Sequence, residues 1–154
     1  MKAMTKWFGM GLGALIVLAL LIQLVPYGRN HTNPPVVQEF NWNSPAAKQI
    51  AQRACFDCHS NETTWPWYSS VAPISWLVTR HVQEGRDVVN FSDWQGVVRR
   101  EGGRRGGDAD ELAEVVRDNE MPPAWYVIVH SDARLTAADR QTLIAALQAV
   151  ALAH

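Results

Sequence analysis

The chain has 154 residues, 47% of them hydrophobic and 19% charged, with a formal net charge of −1. That length supports one domain of ordinary size with an appendage and excludes two substantial cores. The composition is neither collagen-like nor poor enough in apolar residues for disorder throughout, and the near-neutral balance argues against a protein built to neutralise nucleic-acid phosphates.

The amino end holds Lys2 and Lys6, no acid, and an uncharged run of 19 residues from Trp7 to Val25. As a helix that run reaches roughly 28 Å, about the thickness of a bilayer's hydrocarbon core. A cleaved signal peptide is the rival reading, but its apolar region is shorter, and Gln23-Leu-Val-Pro-Tyr27 lacks an A-x-A-like cleavage site. Residues 1–25 are therefore expected to form a single uncleaved transmembrane helix. Lys2, Lys6 and the terminal amine precede it and Arg29 alone closely follows, so the positive-inside rule leaves the amino end in the cytoplasm and the rest outside. Gly9 and Gly13 make a G-x-x-x-G, which we read as ordinary membrane-helix glycine rather than a pairing face. The part beyond the run carries 12 basic and 15 acidic residues, a balance of −3.

Residues 26–43 show neither helical nor strand periodicity and read as an extended leader that spaces a domain, 44–154, from the membrane. Ser44 with Pro45 behind it predicts an N-cap and a helix through Ala46, Ile50 and Ala54 into Cys55. A second helix is predicted over Pro73 to Glu84, with Ile74, Leu77, Val78, His81 and Val82 on one stripe and Gly85 placed to stop it. Ser92 with Gln95 suggests a short third helix toward Arg99. Residues 99–108, rich in glycine and arginine, break all periodicity. Asp108 or Asp110 is expected to cap a fourth helix, with Leu112, Val115 and Val116 inward, ending near Glu120 before Pro122 and Pro123. A last helix opens at Thr136 with Asp139 three residues on, and carries Leu143, Ile144, Leu147 and Val150. No alternating run is long enough for a strand, so the expected class is all-α.

The two cysteines sit in Cys55-Phe-Asp-Cys58-His59, which is C-x-x-C-H, the attachment signature of c-type haem. The spacing has a physical reason: two thiols add to two vinyl groups of one porphyrin, and the adjacent histidine turns its imidazole to the iron. The alternatives are a dithiol or disulfide pair, expected near a βαβ pattern, and a zinc site, which wants four ligands. One covalent haem c is preferred. The sixth iron position then decides function. Met121 is the methionine outside the first 25 residues, 62 positions after His59, in Glu-Met-Pro-Pro, where prolines stiffen the backbone; we take it as the distal ligand. His81 is the alternative ligand, with His130 third and His31 and His154 weak. Trp65, Trp67 and Tyr68, directly after the motif, are candidate haem walls. Among the arginines, Arg80, Arg86, Arg99-Arg100 and Arg104-Arg105 are candidates for neutralising propionates or docking an acidic partner, the glycine-loop pairs being better read as solvated surface.

The block from Cys55 to Tyr68, with Gly85-Arg86, Asn90-Phe-Ser-Asp-Trp94 and Met121-Pro-Pro, resembles the bacterial haem-binding domain family of cytochrome c-like proteins. The resemblance implies a cytochrome c-like helical domain around one covalent haem, and electron transfer. The glycine-arginine loop, 102–107, departs from the pattern without touching the named ligands. The expected protein is thus a non-enzymatic electron carrier at the bacterial inner membrane with its C-terminal domain in the periplasm. Its partners would be redox donor and acceptor proteins at the membrane, and nucleic acid is not among them. A haem-based sensor or small-ligand module with an open sixth site is the alternative, and peroxidase chemistry would need His81 or Arg80 as a distal acid-base group. Loss of Met121 separates these, because a carrier changes its spectrum and potential and an open site does not.

Overall fold

A computed structural model describes residues 2–94 and 109–151. Lys2–Ile22 forms α1, a segment rich in leucine, alanine and glycine and free of proline. Its apolar side chains stand exposed on all sides, Trp7, Phe8, Leu15, Ile16 and Leu20 among them. The helix stops before the uncharged run does. The N–H groups of Gln23, Leu24 and Val25 bond back only three residues, to Leu20, Leu21 and Ile22, because Pro26 disfavours helical backbone just before it. Among the described residues no helix is long and apolar enough to cross a membrane, so the expected transmembrane helix is not established by the fold.

The chain divides into two compact units, residues 1–32 with 65–81, and residues 33–64 with 82–154. In the first, the Gln23 side-chain amide donates to the Ala72 carbonyl at 2.9 Å and accepts the Ala72 N–H at 3.0 Å. Gly28 turns the chain with φ +79°, and a Cβ there would lie 2.7 Å from the Ser75 carbonyl oxygen, so only glycine fits. His31 stacks on Trp65 with ring centroids 4.6 Å apart. Trp67–Ser70 is a 3₁₀ turn.

The second unit holds the main core. Ser44 caps α2 (Pro45–Ala54) by accepting the Ala47 N–H, as its sequence predicts. The buried stripe of α2 is Ala47, Ala51 and Ala54, with Ile50 packed beside it and Ala46 exposed. Next come α3 (Phe56–His59), the end of α4 (Ile74–Val88), of which residues 82–88 are counted in this unit, α5 (Ala109–Arg117), α6 (Ala124–Val129) and α7 (Ala137–Ala151). Both α2 and α5 pack on α7, whose Leu143, Leu147 and Val150 are buried. The all-α class is therefore correct; the one β feature among the described residues is an isolated bridge between Gln38 and Asp93.

Two expectations change. The second predicted helix does not stop at Gly85 but runs through it to Val88. Residues 33–43 are extended yet do not merely space the domain: Phe40 is 1% exposed, its N–H bonds the Phe91 carbonyl, and Val37 and Gln38 both donate to the Ser92 carbonyl. Ser92 spends its hydroxyl on the Asn61 N–H at 3.0 Å. The rest of the predicted third helix, Asp108 and the glycine-arginine loop lie outside the described residues.

Candidate functional site

Cys55 ends α2 and opens α3, so that one short turn carries the whole C-x-x-C-H. The backbone of this turn is closed by Cys58 and His59 donating to the Cys55 carbonyl at 3.2 and 2.9 Å. Both cysteines are free thiols. Burial pushes Cys55 up to about 12, with Cys58 adding to the rise, and burial with the Asp57 charge pushes Cys58 up to about 11. Neither is the low-pKa thiolate that dithiol redox chemistry uses.

His59 is oriented by α4. Its Nδ1 lies 3.0 Å from the Gly85 carbonyl oxygen and 3.3 Å from that of Val89. A carbonyl only accepts, so Nδ1 carries the proton and Nε2 keeps its lone pair. Burial also holds the imidazole below its usual pKa, which keeps it neutral. This is the protonation pattern of a metal-ligating histidine whose outer nitrogen is fixed by a backbone carbonyl. Gly85 makes it attainable: a Cβ there would stand 2.5 Å from the Cys58 carbonyl oxygen, so α4 reaches His59 only with glycine at this position. The His59 carbonyl in turn accepts the Phe91 N–H at 2.8 Å.

The residues after the motif form a polar brace. Ser60 donates to the Phe56 carbonyl at 2.8 Å and Thr63 to the Asp57 carbonyl at 2.7 Å. Asn61 donates to the Pro35 carbonyl and accepts from Asn90. Arg86 sends Nε to the Ser60 carbonyl at 2.7 Å and Nη2 to Asn33 Oδ1 and Thr63 Oγ1, both at 2.9 Å. Expected to bind the cofactor, Arg86 is engaged in holding this loop. Around the motif pack Phe40, Trp42, Phe56, Phe91 and Trp94, with Phe56 to Phe91 centroids 5.9 Å apart.

The other predicted residues separate. Trp65, Trp67 and Tyr68 belong to the first unit, where Trp65 stacks on His31 and Trp67 is 82% exposed. His81 is also counted in that unit. Met121 belongs to the second unit with Cys55, Cys58 and His59, and is 36% exposed. It follows α5, and its N–H bonds the Val115 carbonyl at 3.2 Å. Five residues on, buried Tyr126 donates its hydroxyl to Asp57 Oδ2 at 2.7 Å, inside the C-x-x-C-H turn. Phe40 and Tyr126 are not singled out by the sequence, while Asn61 and Gly85 stand in the blocks that carry the resemblance with no role at the site read for them, Gly85 being taken for a helix stop.

Among the described residues, no group of three or more histidine, cysteine or acidic side chains is arranged to hold a metal ion. The donor set that is present, a neutral imidazole with a free Nε2 beside two thiols, fits a haem and not a four-ligand zinc site. The family described as haem-binding domain matches residues 17–149. No curated protein and no solved structure matches the chain.

Proposed function

The chain belongs to the haem-binding domain family, and from that premise we propose that it is a c-type cytochrome carrying one covalent haem and transferring single electrons. The observation that carries this is the Nδ1 bond of His59 to the Gly85 carbonyl, which leaves Nε2 as the lone-pair nitrogen of a ring on a turn bearing two free thiols. Cys55 and Cys58 would each add a thiol across a vinyl group, the sulfur bonding the carbon and the proton completing the saturated arm. His59 Nε2 and Met121, both of the second unit, would hold the iron. Bound there, the haem supplies a reversible one-electron couple. The chain's own task is to hold its ligands still, and the hydrogen bonds of Ser60, Asn61, Thr63 and Arg86 do this for the His59 side. No proton-transfer group is required, so the reading is of a carrier and not an enzyme.

Membrane attachment is part of the same proposal. A helix apolar on all its faces is suited to lipid rather than water, and α1 presents Trp7, Phe8, Leu15, Ile16 and Leu20 outward. Continued by the turns to Val25, it would tether the haem unit at the outer face of the inner membrane, raising its effective concentration near membrane-bound donors and acceptors.

The test is the visible spectrum of the protein produced with haem-attachment machinery. A low-spin spectrum with the weak long-wavelength sulfur-to-iron band in the ferric state, resistant to acid-acetone extraction, is expected. An extractable haem overturns covalent attachment, and a high-spin ferric spectrum transfers the reading to a sensor with an open site.

A further inference from the structure

The segment that bears Met121 is fixed at two ends. Upstream, α5 ends at Arg117, Asn119 in the turn behind it takes φ +62°, and Glu120 and Met121 both donate to the Val115 carbonyl, at 3.0 and 3.2 Å. Downstream, Pro122 and Pro123 lead into α6, where the Pro123 carbonyl accepts the N–H groups of Tyr126 and Val127. Tyr126 then reaches Asp57 at 2.7 Å, across 69 positions of sequence.

Both partners of that bond are held in place. The second carboxylate oxygen of Asp57 accepts the Thr64 N–H at 2.9 Å, and its carbonyl accepts Thr63 Oγ1. The Tyr126 ring stacks on His130 at 4.1 Å and 19°, while the His130 N–H donates to the Tyr126 carbonyl at 2.9 Å. Asp57 stands between the two cysteines, so the bond joins the turn that would carry one axial ligand to the segment that would carry the other. A short bond to a carboxylate is among the stronger hydrogen bonds a protein makes.

We propose that the Tyr126–Asp57 bond is a latch keeping the Met121 segment closed on the haem-attachment turn, which makes Tyr126 a positioning residue for the sixth iron ligand. The inference rests on Met121 being that ligand. Breaking the latch lets the segment open more often, and a small ligand enters only when it is open.

The experiment uses the full-length haem-loaded protein and the variants Tyr126→Phe, Asp57→Ala, their double mutant and Met121→Ala. Tyr126→Phe keeps the ring and its stack on His130 and loses only the hydroxyl. Its carbon monoxide binding to the ferrous protein should quicken roughly tenfold, the scale of a lost hydrogen bond to a charged group, and its ferric sulfur-to-iron band should weaken. Asp57→Ala removes the same bond, and the Thr64 contact with it, so it should quicken binding at least as much, and the double mutant should be no faster than Asp57→Ala alone. A merely structural bond would lower thermal stability and leave both readouts at their wild-type values. If the wild type shows the band and Tyr126→Phe leaves the band and the binding rate unchanged, the latch is overturned and Met121 ligation stands. If the wild type lacks the band and Met121→Ala changes nothing, both fall together.

Discussion

Gly85 shows how one side chain's absence shapes the site. Glycine inside a helix costs about 1 kcal/mol against alanine, and here that cost is outweighed because the Cys58 carbonyl oxygen occupies the place a Cβ would take, at 2.5 Å. Gly85→Ala should therefore destabilise the protein by about 1 kcal/mol or more, since a backbone clash of this kind exceeds the gain in helix propensity. It should also push the Gly85 carbonyl away from His59 Nδ1. A weaker bond at Nδ1 makes the imidazole a poorer donor to iron, so the reduction potential of the haem-loaded protein should rise. Urea denaturation and a potentiometric titration check the two effects separately, and a stable variant with an unchanged potential would contradict both. Sequence patterning reads Gly85 as a helix stop because nothing local distinguishes a terminating glycine from one demanded by a neighbour distant in the chain. The roles of Phe40, Asn61 and Tyr126 escaped notice for the same reason: each comes from partners 26 or more positions away.

At the level of elements, what was legible depended on whether the signal is local. The start of α2 at Ser44-Pro45 and the opening of α7 at Thr136 follow from caps that complete themselves within four residues, whereas α3 and α6, of 4 and 6 residues, are too short for a periodicity to declare itself. The capping box of α7 is reciprocal: Thr136 Oγ1 accepts the Asp139 N–H at 3.1 Å, and Asp139 Oδ2 accepts the Thr136 N–H at 2.8 Å. Thr136→Ala should cost about 1 kcal/mol, measured as a shift of the urea midpoint at constant slope. The two bonds from Thr136, and then Arg53 of α2 at 2.8 Å, hold Asp139 down at about 2. Its unfolded value is about 3.9, so the folded group binds its proton less readily and stabilises the protein fully above that value. The contribution disappears as the pH falls through the folded value. The stability gap between wild type and Asp139→Asn should accordingly be constant above about pH 4 and close as pH 2 is approached. A gap that widens on acidification would reverse the sign of the argument.

In the whole molecule, the haem chemistry and the proposed membrane chemistry are assigned to different parts of the chain. Cys55, Cys58, His59 and Met121 all fall in the second unit, and α1 falls in the first. If α1 is the anchor, a charge in the middle of it should change where the protein resides without changing what it binds. Ile16 stands exposed between Lys6 and Val25, near the centre of the uncharged run. A lysine at the centre of a spanning helix costs about 2.5–3.5 kcal/mol on insertion scales, a large fraction of what a segment with three glycines and a glutamine can gain from lipid. Ile16→Lys should therefore move most of the protein from the carbonate-resistant membrane fraction to the extractable one, and a second lysine at Leu20 should complete the transfer. The His59 side of the site is braced by Asn33, Thr63, Gly85 and Arg86, all of the second unit. Any variant protein that is exported and matured should consequently keep the wild-type haem spectrum. Retention of Ile16→Lys/Leu20→Lys in the carbonate-resistant fraction would show that the attachment does not reside in α1.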